Sequence, residues 1–314
     1  MRTSQTLFPS GLRMAAAGGA VWLVLLTGVF FGSLRLSILD LLFLLGPLVV
    51  VPLALNLLPT TRVTYLSYVN GSITRFLLLP GAGLTTASFF LREGRVAGAL
   101  VCVWLIVALA LALDGLERLI TTRLRSFPGF CFAIGEGYAL VGSLWLLASR
   151  LGMQPVGFHE PIVLLTAVHF HYAGLMAAVL AGLVTSDERA IRSSLALRIS
   201  LLCAVLGPGL LGLAFLSGPK LKLAAVGLMV IGEFGIAFAT FRTGLVRASE
   251  IGGRMLLVGS VCVIFGDGAS GYLGNWRIPA PCLRQSRADG AVPRGSEFCW
   301  FWFVLTRGLE PVAA

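Results

Sequence analysis

The chain has 314 residues, of which 57% are hydrophobic and only 12% are charged, and its mean hydropathy is +0.91. A soluble domain carries about a quarter charged residues, so this composition argues against a soluble fold. The net charge of +10 comes from basic residues scattered in short connections. That pattern is typical of membrane orientation, and it argues against a nucleic-acid partner. We predict an all-α integral membrane protein whose partner is the lipid bilayer.

Nine apolar runs predict a polytopic helical bundle of about nine spans, because each run approaches the roughly 20 residues that cross a bilayer as a helix. Helices are expected because backbone polar groups in lipid must be satisfied within their own segment. In chain order the predicted spans are Met14–Leu34, Ser37–Leu58, Phe76–Leu91, Val96–Leu113, Pro128–Ala148, Pro161–Val184, Ile199–Ser217, Leu223–Phe241 and Met255–Gly271.

The third and fourth spans are short, and only Arg92, Glu93 and Arg95 interrupt them, which predicts a tight hairpin or a re-entrant pair. We predict one polytopic domain over residues 1–271 and an atypical tail over residues 272–314. Counting basic residues on alternate sides gives thirteen on the side of the N-terminus and six on the other. Cytoplasmic loops carry the excess of basic residues, so we expect a multi-pass protein of the cell membrane with a cytoplasmic N-terminus.

All three histidines lie within thirteen positions, at His159, His169 and His171. The last two fall inside the sixth span, where an ionisable side chain is costly and marks a functional site. Residues two apart on a helix point to nearly opposite sides, so each ring is expected to face a different neighbouring helix. A metal site built on His169 and His171, a haem site and a proton site remain open, and so does simple packing by hydrogen bonds.

Two carboxylates also lie inside apolar spans, Glu136 in the fifth and Glu233 in the eighth, and glycines flank both. A buried carboxylate is expected to be protonated or paired. We consider a proton relay, a cation site, a bond to one of the histidines, or a neutral carboxyl group that donates a hydrogen bond between helices. Thr166 and Tyr172, which lie beside the histidines, complete the candidate ligand or proton site.

The chain has no HExxH, GxSxG, P-loop or CxxC pattern, so no catalytic residue and no cofactor is assigned. Three functional classes remain open. The leading one is a non-enzymatic membrane protein with a histidine-centred polar site in the outer half of the bundle, holding haem, a metal or a proton-coupled ligand. The others are a small-molecule or ion transporter and an intramembrane enzyme.

The stretch Glu160-Pro161-Ile162-Val163-Leu164-Leu165-Thr166-Ala167-Val168-His169-Phe170-His171-Tyr172-Ala173-Gly174 resembles the YndJ-like family of bacterial membrane proteins. The similarity covers mainly residues 130–260. It implies a polytopic architecture and a histidine motif, and it implies no particular reaction. The family ends with a further helix resembling a His-Gly-x-x-Asn-x-x-Gly-Phe pattern, from which the tail of this chain departs.

The tail suggests a shifted reading frame. If the codons of Pro293 to Phe303 are read one nucleotide forward, they permit the peptide His-Gly-x-[Ala/Val]-Asn-[Ser/Phe]-[Ala/Val]-Gly-Phe-Gly-Leu. In that frame each of the two Trp-Phe pairs can encode only glycine. The hypothesis is a C-terminal frameshift between about Gly266 and Asp289 that removes a tenth span. The other interpretations are chance compatibility and a basic tail.

Overall fold

A computed structural model describes residues 11–59, 64–123, 125–186 and 195–246, together with positions 248, 249, 254, 257, 258, 260 and 261. Within these residues the chain forms eight long helices. They are α1 (Gly11–Phe30), α2 (Ile38–Leu57), α3 (Tyr65–Ser88), α4 (Arg95–Thr122), α5 (Phe127–Leu151), α6 (Ile162–Ser186), α7 (Leu195–Ala214) and α8 (Pro219–Val246). The all-α membrane architecture predicted from composition is confirmed.

Seven of these helices are long and apolar enough to cross a membrane, and α3 is the exception. Its first turns carry Asn70, Ser72, Thr74 and Arg75, although its 24 residues exceed the length that a span needs. The predicted third span began only at Phe76, whereas the helix begins eleven residues earlier, at Tyr65, because the polar residues continue it.

The third and fourth predicted spans form a hairpin, in which α3 and α4 pack along each other and a turn at residues 89–94 joins them. Gly94 closes the turn with φ of +147°, a value that favours glycine. Helix α4 continues to Thr122, nine residues beyond its predicted end at Leu113. The pair therefore forms a helical hairpin with a short turn.

Two compact units are distinguished by their internal contacts, the first comprising Met1–Arg192 with Ala204–Pro208, and the second Ser193–Cys203 with Gly209–Ala314. The first unit contains α1 to α6, and its core is built where α4 packs on α3 and α5 and where α5 packs on α6. In the second unit α7 approaches α8 closely, since the hydroxyl of Ser200 donates to the Ile231 carbonyl at 2.5 Å.

Two helices of the first unit contain π-helical segments, Gly46–Val50 in α2 and Phe170–Met176 in α6. Pro47 explains the first one, because a residue without an N–H interrupts the α-helical ladder. No proline lies within the second, which contains His171 and begins directly after His169. Such segments occur frequently at functional sites.

Most of the ninth predicted span, Met255–Gly271, and the whole tail over residues 272–314 lie outside the described residues. The predicted frameshift and tenth span fall there as well. They stay predictions, as does the assignment of residues 1–271 to one domain.

Candidate functional site

His171 lies in the π-helical segment of α6 and is as buried as Glu136, since each of these residues is 1% exposed. Its ring lies edge-on to Phe43 of α2, with centroids 5.4 Å apart, and nearly parallel to the indole of Trp104 of α4 at 6.3 Å. On α5, a methyl group at Gly142 would lie 2.6 Å from Nδ1 of His171. Four helices therefore enclose this imidazole.

The hydrogen bonds of His171 define one neutral tautomer. Nδ1 lies 2.8 Å from the Ala167 carbonyl oxygen, which can only accept, so Nδ1 carries the proton. Nε2 then accepts a 3.4 Å bond from the indole N–H of Trp104. Both ring nitrogens have partners inside the protein, and the acceptor nitrogen faces a side chain that can only donate.

The two π-helical segments meet at this histidine. A methyl group at Gly46, in the segment of α2, would lie 3.8 Å from Cβ of His171. The neighbouring Tyr172 donates its hydroxyl to the Leu42 carbonyl of α2 at 2.8 Å. Helices α2 and α6 are thus in direct contact beside the buried imidazole.

His169 faces a different neighbour from His171, as the spacing of the two residues predicts. Its Nε2 lies 3.4 Å from the Pro208 carbonyl, in the part of α7 that belongs to the first unit. Thr166 donates its hydroxyl to the Ile162 carbonyl within α6, a bond that satisfies the side chain locally. His159 is exposed in the connection before α6. These residues do not converge on one point.

Glu136 pairs with Arg118 of α4. The guanidinium donates from Nε to Oε2 at 3.2 Å and from Nη2 to Oε1 at 3.1 Å, which is a bidentate ion pair. The two side chains are 2% and 3% exposed. Nη2 also donates to the Pro59 carbonyl at 3.4 Å. The hydrogen bonds of the Glu136 carboxylate therefore go to an arginine, and the bond to a histidine considered from the sequence is not formed.

More polar side chains surround this pair near the end of α4. Asn70 of α3 donates to Asp114 at 2.9 Å, and Thr64 donates to Glu117 at 2.8 Å. Gly115 lets α5 approach α4 here, since a methyl group on it would lie 2.7 Å from the Ala133 carbonyl oxygen. The result is a network of charges at the end of the bundle where α4 passes to α5.

Glu233 lies half-buried on α8, within the second unit. Among the residues that the structure describes, no group of three or more His, Cys, Asp or Glu side chains is placed to hold a metal ion. The haem and metal interpretations of His169 and His171 therefore gain no support from the geometry.

Two buried arginines, Arg118 and Arg150, are not among the predicted site residues, because both fall outside the predicted spans. Both lie on the last turns of helices that extend beyond their apolar runs. A signal for Arg118 was present: Asp114 and Arg118 are four residues apart, which places them on one helix face, and an acid occupies the next span. No comparable signal marked Arg150, because its partners are backbone carbonyls.

Long apolar helices around a buried histidine and a buried ion pair define a polytopic, multi-pass helical membrane protein. A model of the family described as "YndJ-like protein" matches residues 41–266, and the chain belongs to that family. The chain is also similar to "Uncharacterized membrane protein YndJ" of Bacillus subtilis (strain 168), at 28% identity over 158 residues. That alignment covers 49% of this chain and 28% of the relative. No solved structure matches.

Proposed function

We propose that the protein is a proton-responsive membrane protein in which His171 couples proton binding to the packing of α2, α4, α5 and α6. The observation that carries this proposal is the bond from the Trp104 indole to Nε2 of His171. In a neutral imidazole Nε2 accepts that bond, and in an imidazolium the same atom is a donor. Two donors would then face each other, so protonation must separate the two rings.

The surroundings favour a movement of helices over a small local adjustment. The neighbours of the ring are Phe43 and Gly46 on α2, Trp104 on α4 and Gly142 on α5, so three helices besides its own surround it. Protein interiors are closely packed, so an imidazole that shifts here displaces at least one helix. The two π-helical segments provide irregular turns in which such a displacement can be absorbed.

A haem or metal role is less consistent with this geometry. A metal ion binds an imidazole nitrogen that has a free lone pair, and Trp104 occupies that lone pair on His171. The nitrogen of His169 near the Pro208 carbonyl must carry a proton to form a hydrogen bond there. Proton-coupled binding or transport of a second ligand agrees better with these hydrogen bonds than binding of haem or a metal does.

The proposed orientation places the N-terminus in the cytoplasm, on the excess of basic residues at that side. We also propose that the recorded chain is frameshifted near its end, because the family match ends at residue 266, where the composition changes. The encoding DNA tests this second proposal. An A as the third base of the Pro293 codon supports it, and any other base removes the histidine of the alternative reading.

Trp104 provides the test of the histidine proposal. The fluorescence of the purified full chain in nanodiscs is measured from pH 8 to pH 4, and the contribution of Trp104 is isolated by subtracting the Trp104→Phe variant. We expect an acid transition that the His171→Gln variant loses and the His169→Gln variant keeps. A transition that persists in the His171→Gln variant would refute the proposal.

A further inference from the structure

A polar cleft of about 600 Å³ opens at the end of the first unit where α3 passes to α4. Its lining comes from the start of α2, the turn between α3 and α4 and the end of α5, namely Asp40, Phe89, Leu91, Arg92, Glu93 and Arg150. The termini of membrane-spanning helices lie near the headgroups of the bilayer. The cleft therefore lies where phosphate and ammonium groups of lipids are abundant.

Arg150 anchors the cleft, and its side chain is 7% exposed. Its Nη2 donates to the carbonyls of Ser88 and Leu91 at 3.1 Å and 2.9 Å. The guanidinium carbon lies 4.8 Å from the centroid of the Phe89 ring. Nε is buried without a hydrogen-bond partner. Carbonyls and an aromatic face thus fix the orientation of this cation, and they leave its charge without a carboxylate counterion.

The other charges of the cleft do not neutralise Arg150. Within the described part of the chain, no ion pair of 4.0 Å or less joins any of its four charged side chains. Asp40 instead accepts the backbone N–H of Ser37 at 2.8 Å, at the start of α2. Arg92 and Glu93 are exposed in the turn. Two positive and two negative groups therefore line one cleft without pairing with each other.

We propose that this cleft binds a zwitterionic phosphoethanolamine group, with the phosphate on the arginine side and the ammonium on the acidic side. An arginine matches the geometry of phosphate oxygens, and a carboxylate accepts the N–H bonds of a primary ammonium. A ligand with one charge of each sign suits a cleft whose four charges sum to zero. The group belongs either to a membrane lipid or to a soluble molecule.

A primary ammonium fits better than a quaternary one. Quaternary ammonium groups are recognised by cages of aromatic rings, because they have no N–H to donate. The aromatic side chain that lines this cleft is Phe89, and Arg150 already covers its face. The negative groups Asp40 and Glu93 favour a cation that donates hydrogen bonds. Phosphatidylethanolamine is therefore expected to bind in preference to phosphatidylcholine.

Native mass spectrometry of the purified full chain tests the proposal, with equimolar phosphatidylethanolamine, phosphatidylglycerol and phosphatidylcholine offered in mixed micelles. We expect phosphatidylethanolamine to be retained over both others by about threefold or more, the scale of one partly exposed charge contact. Glu93→Gln should abolish the preference over phosphatidylglycerol. Arg92→Gln should weaken the retention of phosphatidylethanolamine, because it removes a cation from the side of the cleft proposed to bind phosphate. Arg95→Gln, an arginine of the same end that does not line the cleft, is the matched control.

Soluble phosphoethanolamine, added at millimolar concentration, distinguishes the two sources. Displacement of the lipid supports a shared site on the membrane. Binding of soluble phosphoethanolamine with no lipid preference supports the same chemistry with a soluble ligand, provided that Glu93→Gln weakens it. The proposal is overturned if all three lipids are retained equally and soluble phosphoethanolamine does not bind. It is also overturned if Arg95→Gln and Glu93→Gln have equal effects on retention. Because Arg92 and Glu93 are exposed, these variants keep the fold, and His171 is not involved.

Discussion

Arg118 and Arg150 are both buried in the first unit, at opposite ends of the bundle, yet their surroundings differ. Arg118 has a carboxylate partner in Glu136, and the pair is closed by two hydrogen bonds. Arg150 has two backbone carbonyls and a phenyl ring. The first arginine is neutralised within the protein, whereas the second one lines an open cleft.

Burial of a charge does not by itself identify a binding site, since these two arginines are both buried but differently paired. A buried ion pair is costly to break and contributes little net stability, so it fixes the arrangement of helices. A buried cation without a counterion is held by dipoles and remains able to attract an anion. Removing a partner should therefore have its largest effect at Arg118 and a smaller one at Arg150.

Glu136→Ala is expected to have the largest effect, because it leaves Arg118 buried without its counterion. The loss in free energy of unfolding should be about 3–5 kcal/mol, measured by denaturation in mixed micelles. The double variant Arg118→Met/Glu136→Leu should recover most of that loss, since it removes both charges together. Equal stability of the single and double variants would contradict the ion-pair account.

Arg150→Ala should cost less, about 2 kcal/mol, because it removes hydrogen bonds from a charged donor to the Ser88 and Leu91 carbonyls without stranding an opposite charge. The same denaturation measurement applies. Arg150→Lys keeps the charge but loses the planar guanidinium that donates to two carbonyls. The stability of this variant should therefore lie between those of the unchanged protein and Arg150→Ala. A loss as large as that of Glu136→Ala would mean that Arg150 has an unrecognised counterion.

Gly115→Ala should have the smallest of the three effects, about 1 kcal/mol, at the low end of the range expected for overpacking. Its new methyl group would meet the Ala133 carbonyl oxygen at 2.7 Å and Glu136 Cβ at 3.0 Å, so α4 must move away from α5. Gly83→Ala is the control, because nothing lies within 4 Å of a methyl group there. Equal melting temperatures for the two variants would show that close approach at Gly115 is unimportant.

The fold was largely predictable, because apolar runs of span length are a strong signal. The opposed directions of His169 and His171 were also predictable, since they follow from helical periodicity. The hydrogen-bond partners of Glu136 and His171 were not predictable. Glu136 was weighed against the histidines, but the arginine that binds it lies on a helix extending past its apolar run. The Trp104 donor was missed because hydrogen-bond partners between helices depend on packing, which no local pattern encodes.

The polar first half of α3 has a consequence for how the chain enters the membrane. Asn70 and Thr74 are buried in the finished protein, where Asn70 bonds to Asp114 of the following helix. A nascent α3 alone would expose these groups to hydrocarbon, and each one would cost free energy there. We expect the insertion machinery to retain α3 until α4 emerges, so that the two helices partition into lipid together as a single unit.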